Sequence, residues 1–357
     1  MRPTASDRLA KLVLGGLGAL PAGLQRRLGG KPITIDGQVL YPEVQMALRL
    51  LNAMPSSDFS EQPLEAARRT IDSEAYVFGK RLPVDRVEEL GIPGPAGPIP
   101  ARSYRHAHSS DSIGTVAYYH GGGWVLGGLE STDAVCRFIA HHLPVTVVSV
   151  DYRLAPEHPF PAGLDDALAA YRWIREQPSL GRTVAVAGDS AGGNFAAVIA
   201  QLTKDDTPPD FQLLFFPVTD LAHKSASYAK FAEGFFLTEQ QMDWYSERYV
   251  PDRGQRTDPR VSPLLAEDVS GLAPAHVAVA GFDVLRDEGI AYARRLQDAG
   301  VPTTLQVVTG HIHAFTNTTA ASRTGTEAFR EAIGFLERGL RAARAGAASV
   351  GEPAAED

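Results

Sequence analysis

The sequence predicts an α/β protein: a mostly parallel central sheet with helices on both faces. Three observations carry that prediction. From about residue 84 to 341, short apolar or β-branched runs alternate with segments of helical periodicity, the order expected when each strand is followed by a crossover helix. The runs at 145–150, 211–216 and 277–280 are largely apolar, as in a sheet covered on both faces. His120, Ser190, Asp283 and His313, residue types able to do chemistry, fall where predicted strands end, the edge at which such sheets build their sites.

Residues 1–80 read as helical, with apolar spacing over 42–51 and 64–76, and are expected to form a cap segment. Arg2, Arg8 and Lys11 precede an apolar stretch at 12–24, an arrangement shared with signal peptides. A small-x-small cleavage site is missing, so the stretch is read as an apolar helix that packs on the protein or touches a membrane surface. Segments 85–90 and 99–104 flank a Pro/Gly-rich turn and predict an antiparallel edge pair, followed by a polar loop at 106–114. Then come a strand at 115–119, a helix at 131–142, a strand at 145–150, a helix at 164–176, a strand at 183–187 and a helix from about 191. After the 211–216 strand, residues 219–260 break the alternation; they are aromatic-rich, include a helix at 239–249, and are expected to lie over the site as a second part of the cap. A strand at 277–280, a helix at 287–299 stopped by Gly300, a last strand at 304–308 and a helix at 326–341 complete the α/β domain, 81–341. The tail at 342–357, rich in Ala, Gly and acidic residues, is expected to be disordered.

Composition removes several classes of function. The net charge of −8, with no long basic block, argues against a nucleic-acid partner. A single cysteine, Cys136, rules out an intrachain disulfide and any multi-cysteine metal site; in a predicted helix it reads as a small core residue. No apolar run reaches 18 residues, so no membrane span is expected, and the protein reads as cytoplasmic.

Two motifs carry the chemistry. Gly188-Asp189-Ser190-Ala191-Gly192 joins a short strand to a helix and matches a nucleophile elbow. In such a turn the serine backbone is strained, the hydroxyl stands above the sheet, and side chains at Gly188 and Gly192 would collide with neighbouring elements. The helix that follows aims its N-terminal N–H groups at the serine. Upstream, His120-Gly121-Gly122-Gly123 directly follows a strand; consecutive glycines can turn amides toward an oxyanion. His120 is expected to hold the turn of Gly121, Gly122 and Gly123 through side-chain hydrogen bonds, without moving a proton.

A serine nucleophile needs a histidine base, and the histidine needs an acid that fixes its tautomer. In this type of sheet the chain order is Ser, acid, His. His223, His276, His311 and His313 follow Ser190; only His311 and His313 come after the last predicted strand, in one loop. Asp283 is the first carboxylate after an apolar strand, whereas Asp287 and Glu288 read as N-terminal helix charges. His158 and Glu157 precede the serine among prolines and read as part of a structural loop.

The chain resembles the bacterial hormone-sensitive lipase family of carboxylesterases, family IV, in its GDSAG branch, within the α/β-hydrolase superfamily. The resemblance rests on His120–Trp124, the 151–162 segment Asp-Tyr-Arg-Leu-Ala-Pro-Glu-His-Pro-Phe-Pro-Ala, the 188–193 elbow, the 281–289 segment Gly-Phe-Asp-Val-Leu-Arg-Asp-Glu-Gly and His313-Ala314-Phe315. It covers roughly residues 84–340. It implies an α/β-hydrolase fold with a helical cap and a triad of Ser190, Asp283 and His313. It also implies an oxyanion hole made by the amides of Gly122, Gly123 and Ala191, with no cofactor or metal. Val284 stands where the family has proline and Ala314 where it has glycine; His311 is an extra histidine that could exchange roles with His313. The implied activity is hydrolysis of small esters of short- to medium-chain acids, with pairing into a homodimer through an edge strand as in relatives.

The alternative from another class is a non-catalytic small-molecule receptor on the same fold, known among relatives that lack the catalytic histidine; the presence of Ser190, Asp283 and His313 speaks against it. A peptidase would commonly carry a propeller domain, for which 357 residues leave no room.

Overall fold

A computed structural model describes residues 3–53, 59–106 and 112–350. In chain order, α1 (Ala5–Gly18), α2 (Ala22–Gly29), β1 (Thr34–Ile35), β2 (Gln38–Val39), α3 (Pro42–Ala53) and α4 (Leu64–Phe78) precede the sheet. Then follow β3 (Arg86–Ile92), β4 (Ile99–Arg105), β5 (Gly114–Tyr119), α5 (Leu129–His142), β6 (Val145–Val150), α6 (Ala162–Glu176), β7 (Val184–Asp189), α7 (Ala191–Leu202) and β8 (Phe211–Phe215). Two helices of the 219–260 insertion, α8 (Ala226–Lys230) and α9 (Glu239–Tyr249), lead to β9 (Ala275–Phe282), α10 (Arg286–Asp298), β10 (Thr303–Ile312) and α11 (Arg323–Val350).

Eight strands form one sheet in the order β10-β9-β8-β7-β5-β6-β4-β3. The pairs from β6 to β10 are parallel, while β3–β4 and β4–β6 are antiparallel. Strand alternation sorts side chains between two cores. Ala117, Tyr119, Val184 and Val186 face α6, α7 and α10, with Tyr171, Phe195 and Tyr292 packed among them. Val116, Tyr118, Ala185 and Ala187 face α5 and α11, with Phe138, Phe329 and Ile333. Burial on both faces is what leaves the strands with few polar residues.

Three sequence expectations change. The N-terminal segment is not wholly helical: Asp36 (φ 53°) and Gly37 (φ 76°) turn the chain between β1 and β2, the Asp-Gly pairing suited to a tight hairpin because both residues tolerate positive φ. β10 continues to Ile312, past a register irregularity between Val308 and Ile312, so His311 lies in a strand and His313 directly after it. Residues 342–350 belong to α11 instead of an irregular tail; 351–357 lie outside the described residues, as do 107–111 of the expected polar loop.

The N-terminal segment and the insertion meet. Phe59 packs at 5.3 Å from Tyr245 and 5.7 Å from Trp244, and the Asn52 amide donates to the Gly234 carbonyl at 3.2 Å. Asn194, buried on α7, fastens the elbow helix to the insertion by donating to the Val218 and Val261 carbonyls at 2.9 and 2.8 Å. Replacing it by alanine strands two buried acceptors. Asn194→Ala should therefore lower the unfolding free energy by about 1–3 kcal/mol, read as an earlier urea midpoint with an unchanged slope.

Candidate active site

Ser190 follows β7 and caps α7 with φ 56° and ψ −117°, a left-handed backbone that a non-glycine residue adopts only under constraint. Its amide donates to the Phe215 carbonyl at 2.9 Å, and its own carbonyl accepts from Asn194 N at 3.0 Å and Val218 N at 3.3 Å. A Cβ on Gly192 would run into the Tyr119 carbonyl, and one on Gly188 into the backbone of Gly192. The turn is so tight that only glycine fits at either position.

The hydroxyl meets a histidine. His313 Nε2 lies 3.1 Å from Ser190 Oγ, and His313 Nδ1 lies 2.7 Å from Asp283 Oδ2. Asp283 sits in the loop after β9, and its other oxygen accepts from Leu285 N at 3.0 Å, which fixes the carboxylate plane. The Phe216 ring packs against the imidazole, centroids 4.6 Å apart. All three side chains are buried. A neutral His313 with its proton on Nδ1 bonds the carboxylate and offers Nε2 to the hydroxyl, the arrangement needed to withdraw a proton from serine.

His311, two residues away, is held elsewhere. Its Nε2 lies 3.0 Å from Thr324 Oγ1 and 3.3 Å from Ser322 Oγ, and burial pushes its pKa down to about 4. Glu43 of α3 reaches the same cluster and accepts from Ser322 Oγ, Thr324 N and Thr324 Oγ1 at 2.6–2.9 Å. Next to it the Tyr41 amide donates to the Gly310 carbonyl at 3.0 Å. The strand end that carries His313 is thus braced by an N-terminal segment in which the sequence shows no chemical motif.

The glycine loop after β5 is fastened from two sides. His120 is fully buried, which lowers its pKa to about 4, and its Nδ1 lies 2.7 Å from the Gly121 carbonyl. Tyr152 stacks on the imidazole at 4.1 Å and donates its hydroxyl to the His120 carbonyl at 2.7 Å. On the other side Asp189 Oδ1 accepts from Gly121 N at 3.2 Å and from the Tyr118 hydroxyl at 2.7 Å. Gly122 and Gly123 take φ of 111° and 59°, so the loop depends on glycine there. The ring of Tyr245 from α9 lies directly against Gly123.

Other sequence candidates fall outside the site. Glu157 pairs with Arg68 of α4 at 2.8 Å. Asp287 pairs with Arg286 at 2.8 Å, but Glu288 is more than a helix-end charge. It is buried and accepts from Thr219 N and Asp220 N at 2.7 and 3.3 Å, and burial raises its pKa well above the usual carboxylate range. Asp36, unremarkable in the sequence, pairs with Lys230 of the insertion at 2.7 Å and with Arg286 beside the Asp283 loop at 3.0 Å. Cys136 is buried in α5. Among the described residues no group of three or more His, Cys, Asp or Glu could hold a metal ion.

Known proteins share this fold. A family model described as the alpha/beta hydrolase fold matches residues 116–317. The carboxylic ester hydrolase LipN of Mycobacterium tuberculosis is 42% identical over 318 residues, 84% of this chain and 83% of its own length. An ethyl acetate hydrolase of Pseudomonas putida is 39% identical over 70% of this chain and 82% of its own length. Among solved structures, a thermostable esterase of Pseudomonas putida superposes with a TM-score of 0.81 at 34% identity, covering 86% of this chain and 99% of that one.

Asp189 is the buried acceptor that joins the elbow to the glycine loop. Asp189→Ala should speed amide exchange across residues 121–123 by about tenfold or more, with the global unfolding midpoint moving less than the local protection. Asp189→Asn, which keeps an acceptor oxygen, should show a smaller change; equal exchange in all three proteins would show that the loop is held by other contacts.

Proposed function

We infer that this chain, which belongs to the alpha/beta hydrolase fold family in its hormone-sensitive-lipase-like branch, is a serine carboxylesterase acting on small esters of short- to medium-chain acids. The observation that carries the reading is the unbroken relay from Asp283 through His313 to Ser190, with separations of 2.7 and 3.1 Å. Similarity to proteins named as ester hydrolases supports the substrate class.

In this mechanism His313 Nε2 takes the Ser190 proton as Oγ attacks the ester carbonyl. Asp283 stabilises the imidazolium that forms. The carbonyl oxygen, now an oxyanion, is received by the amides of Gly122, Gly123 and Ala191; one such donor typically contributes about 2.7–4 kcal/mol to the transition state. His313 returns the proton to the alkoxide as the C–O bond breaks, and the alcohol leaves. Water activated by the same histidine then attacks the acyl-enzyme and releases the acid and the serine. His120 holds the loop and transfers no proton. Residues 1–80 and 219–260 act as a cap, in which Tyr245 lies against Gly123 and Phe59 packs on Tyr245; these two rings limit the acyl or alcohol group that enters. A receptor on the same fold would have no need of a histidine within hydrogen-bond reach of both serine and carboxylate.

Ser190→Ala, Asp283→Asn and His313→Ala should each lower kcat for a p-nitrophenyl ester by about 10⁴-fold or more while the circular dichroism spectrum is retained, and the double variants should lose little more. Full activity in Ser190→Ala would end the acyl-enzyme reading. Because burial keeps His120 uncharged down to about pH 4, His120→Asn should leave the acidic limb of the pH–rate profile where it is in the wild type. Loss of that limb in His120→Asn would make His120 the titrating base.

A further inference from the structure

The N-terminal helix α1 shows leucine and valine to solvent on the side turned away from the protein. Its inner side is used: Lys11 Nζ donates to the carbonyls of Tyr76 and Gly79 at 2.7 and 2.5 Å, Asp7 accepts from Ser73 Oγ at 2.5 Å, and Gly15 and Gly18 lie against the carbonyls of Ala320 and Ala321. The outer side carries Leu9, Leu12, Val13 and Gly16, the i, i+3, i+4, i+7 spacing of a single helix face. Leu9 is 63% exposed, Leu12 75% and Val13 51%. On α2, tied to the end of α1 by Gln25 Nε2 donating to the Gly18 carbonyl at 3.0 Å, Leu24 and Leu28 are also exposed. Water-facing apolar residues at helical spacing on consecutive helices mark a surface that something covers.

The charge around these leucines identifies the cover. Six basic residues and one acid, Asp7, fall in residues 1–35, leaving 28 basic against 41 acidic groups in the rest of the chain. Arg8, Arg26, Arg27 and Lys31 are exposed, and among the described residues none of their side chains has an ionic or hydrogen-bonding partner. A positive, leucine-faced helix pair is complementary to an anionic lipid surface, whereas two copies paired through this same face would set like charges against each other. Among the described residues no helix is long and apolar enough to cross a membrane.

We propose that α1 and α2 dock this protein on an anionic bilayer surface, with Leu9, Leu12, Val13, Leu24 and Leu28 entering the headgroup–acyl boundary and Arg8, Arg26, Arg27 and Lys31 pairing with lipid phosphates. Docking is separate from the catalytic machinery and brings the protein to the phase in which sparingly soluble, apolar ligands collect.

The test is co-sedimentation of the full chain with phosphatidylcholine vesicles and with phosphatidylcholine–phosphatidylglycerol vesicles, at low and high salt. The wild type should bind the anionic vesicles at least about tenfold more tightly than the neutral ones and lose that preference at high salt. Leu9→Asp/Leu12→Asp and Arg26→Glu/Arg27→Glu should each weaken binding by about tenfold or more, with hydrolysis of soluble p-nitrophenyl acetate unchanged. Three results would overturn the proposal: no wild-type binding to either vesicle, binding indifferent to lipid charge and to both variants, or a wild-type dimer that Leu9→Asp/Leu12→Asp converts to monomer, which would mean that a second copy covers the face. Activity toward the soluble ester is read separately, so an inactive but vesicle-binding protein would fault the catalytic reading and leave docking intact.

Discussion

The structure depends on one strained residue. Ser190 keeps a backbone conformation that costs a non-glycine residue about 1–3 kcal/mol, with φ at 56°. What holds it is a set of bonds that a relaxed backbone would forfeit: its amide to the Phe215 carbonyl, its carbonyl to the amides of Asn194 and Val218. The close approach of Gly192 to the Tyr119 carbonyl brings α7 onto β5 and so brings the elbow beside the glycine loop that follows β5. Strain at the serine and proximity of the two loops are therefore the same packing constraint seen from two sides.

Burial assigns the polar groups their states. His120 and His311 are enclosed, with pKa values lowered to about 4, and their hydrogen bonds go to a backbone carbonyl or to hydroxyls. They are neutral structural parts near neutral pH. Among the described histidines, His313 faces a carboxylate and a serine together. Glu288 and Asp189 are buried carboxyls whose pKa values burial raises; both use backbone amides as donors, so each fixes a loop next to the site. Three types of side chain able to do proton chemistry thus serve to hold loops around Ser190, Asp283 and His313.

The N-terminal segment takes part in that positioning through single contacts at separate points. Asp36 reaches Arg286 beside the Asp283 loop, Glu43 and Tyr41 brace the strand end before His313, and Phe59 lies against Tyr245 above Gly123. The contacts join residues from 186 (Phe59 to Tyr245) to 281 (Glu43 to Thr324) positions apart, and none belongs to a local pattern. The segment is bound to the rest of the molecule on its inner side and carries exposed cations and leucines on its solvent side.

Local periodicity determined most of the fold: apolar strand runs and amphipathic helices are short-range properties, and the strand order of a parallel sheet follows from crossovers that leave few alternatives. The tight turn at Ser190 was legible for a related reason, since the glycines that flank it mark one strand–turn–helix unit in the sequence itself. So was Asp283, the first carboxylate after an apolar strand. The sequence could not separate His311 from His313 by spacing alone, because both follow the last alternation. The strand that continues to Ile312 separates them in space, turning one imidazole toward Thr324 and the other toward Ser190. Nor could it show that Tyr152 backs His120, that Glu288 is a buried acceptor, or that Asp36 closes a hairpin against Arg286. Those facts are pairings between distant segments, and a one-dimensional pattern holds no record of which distant carboxylate, ring or amide will be adjacent once the sheet has closed.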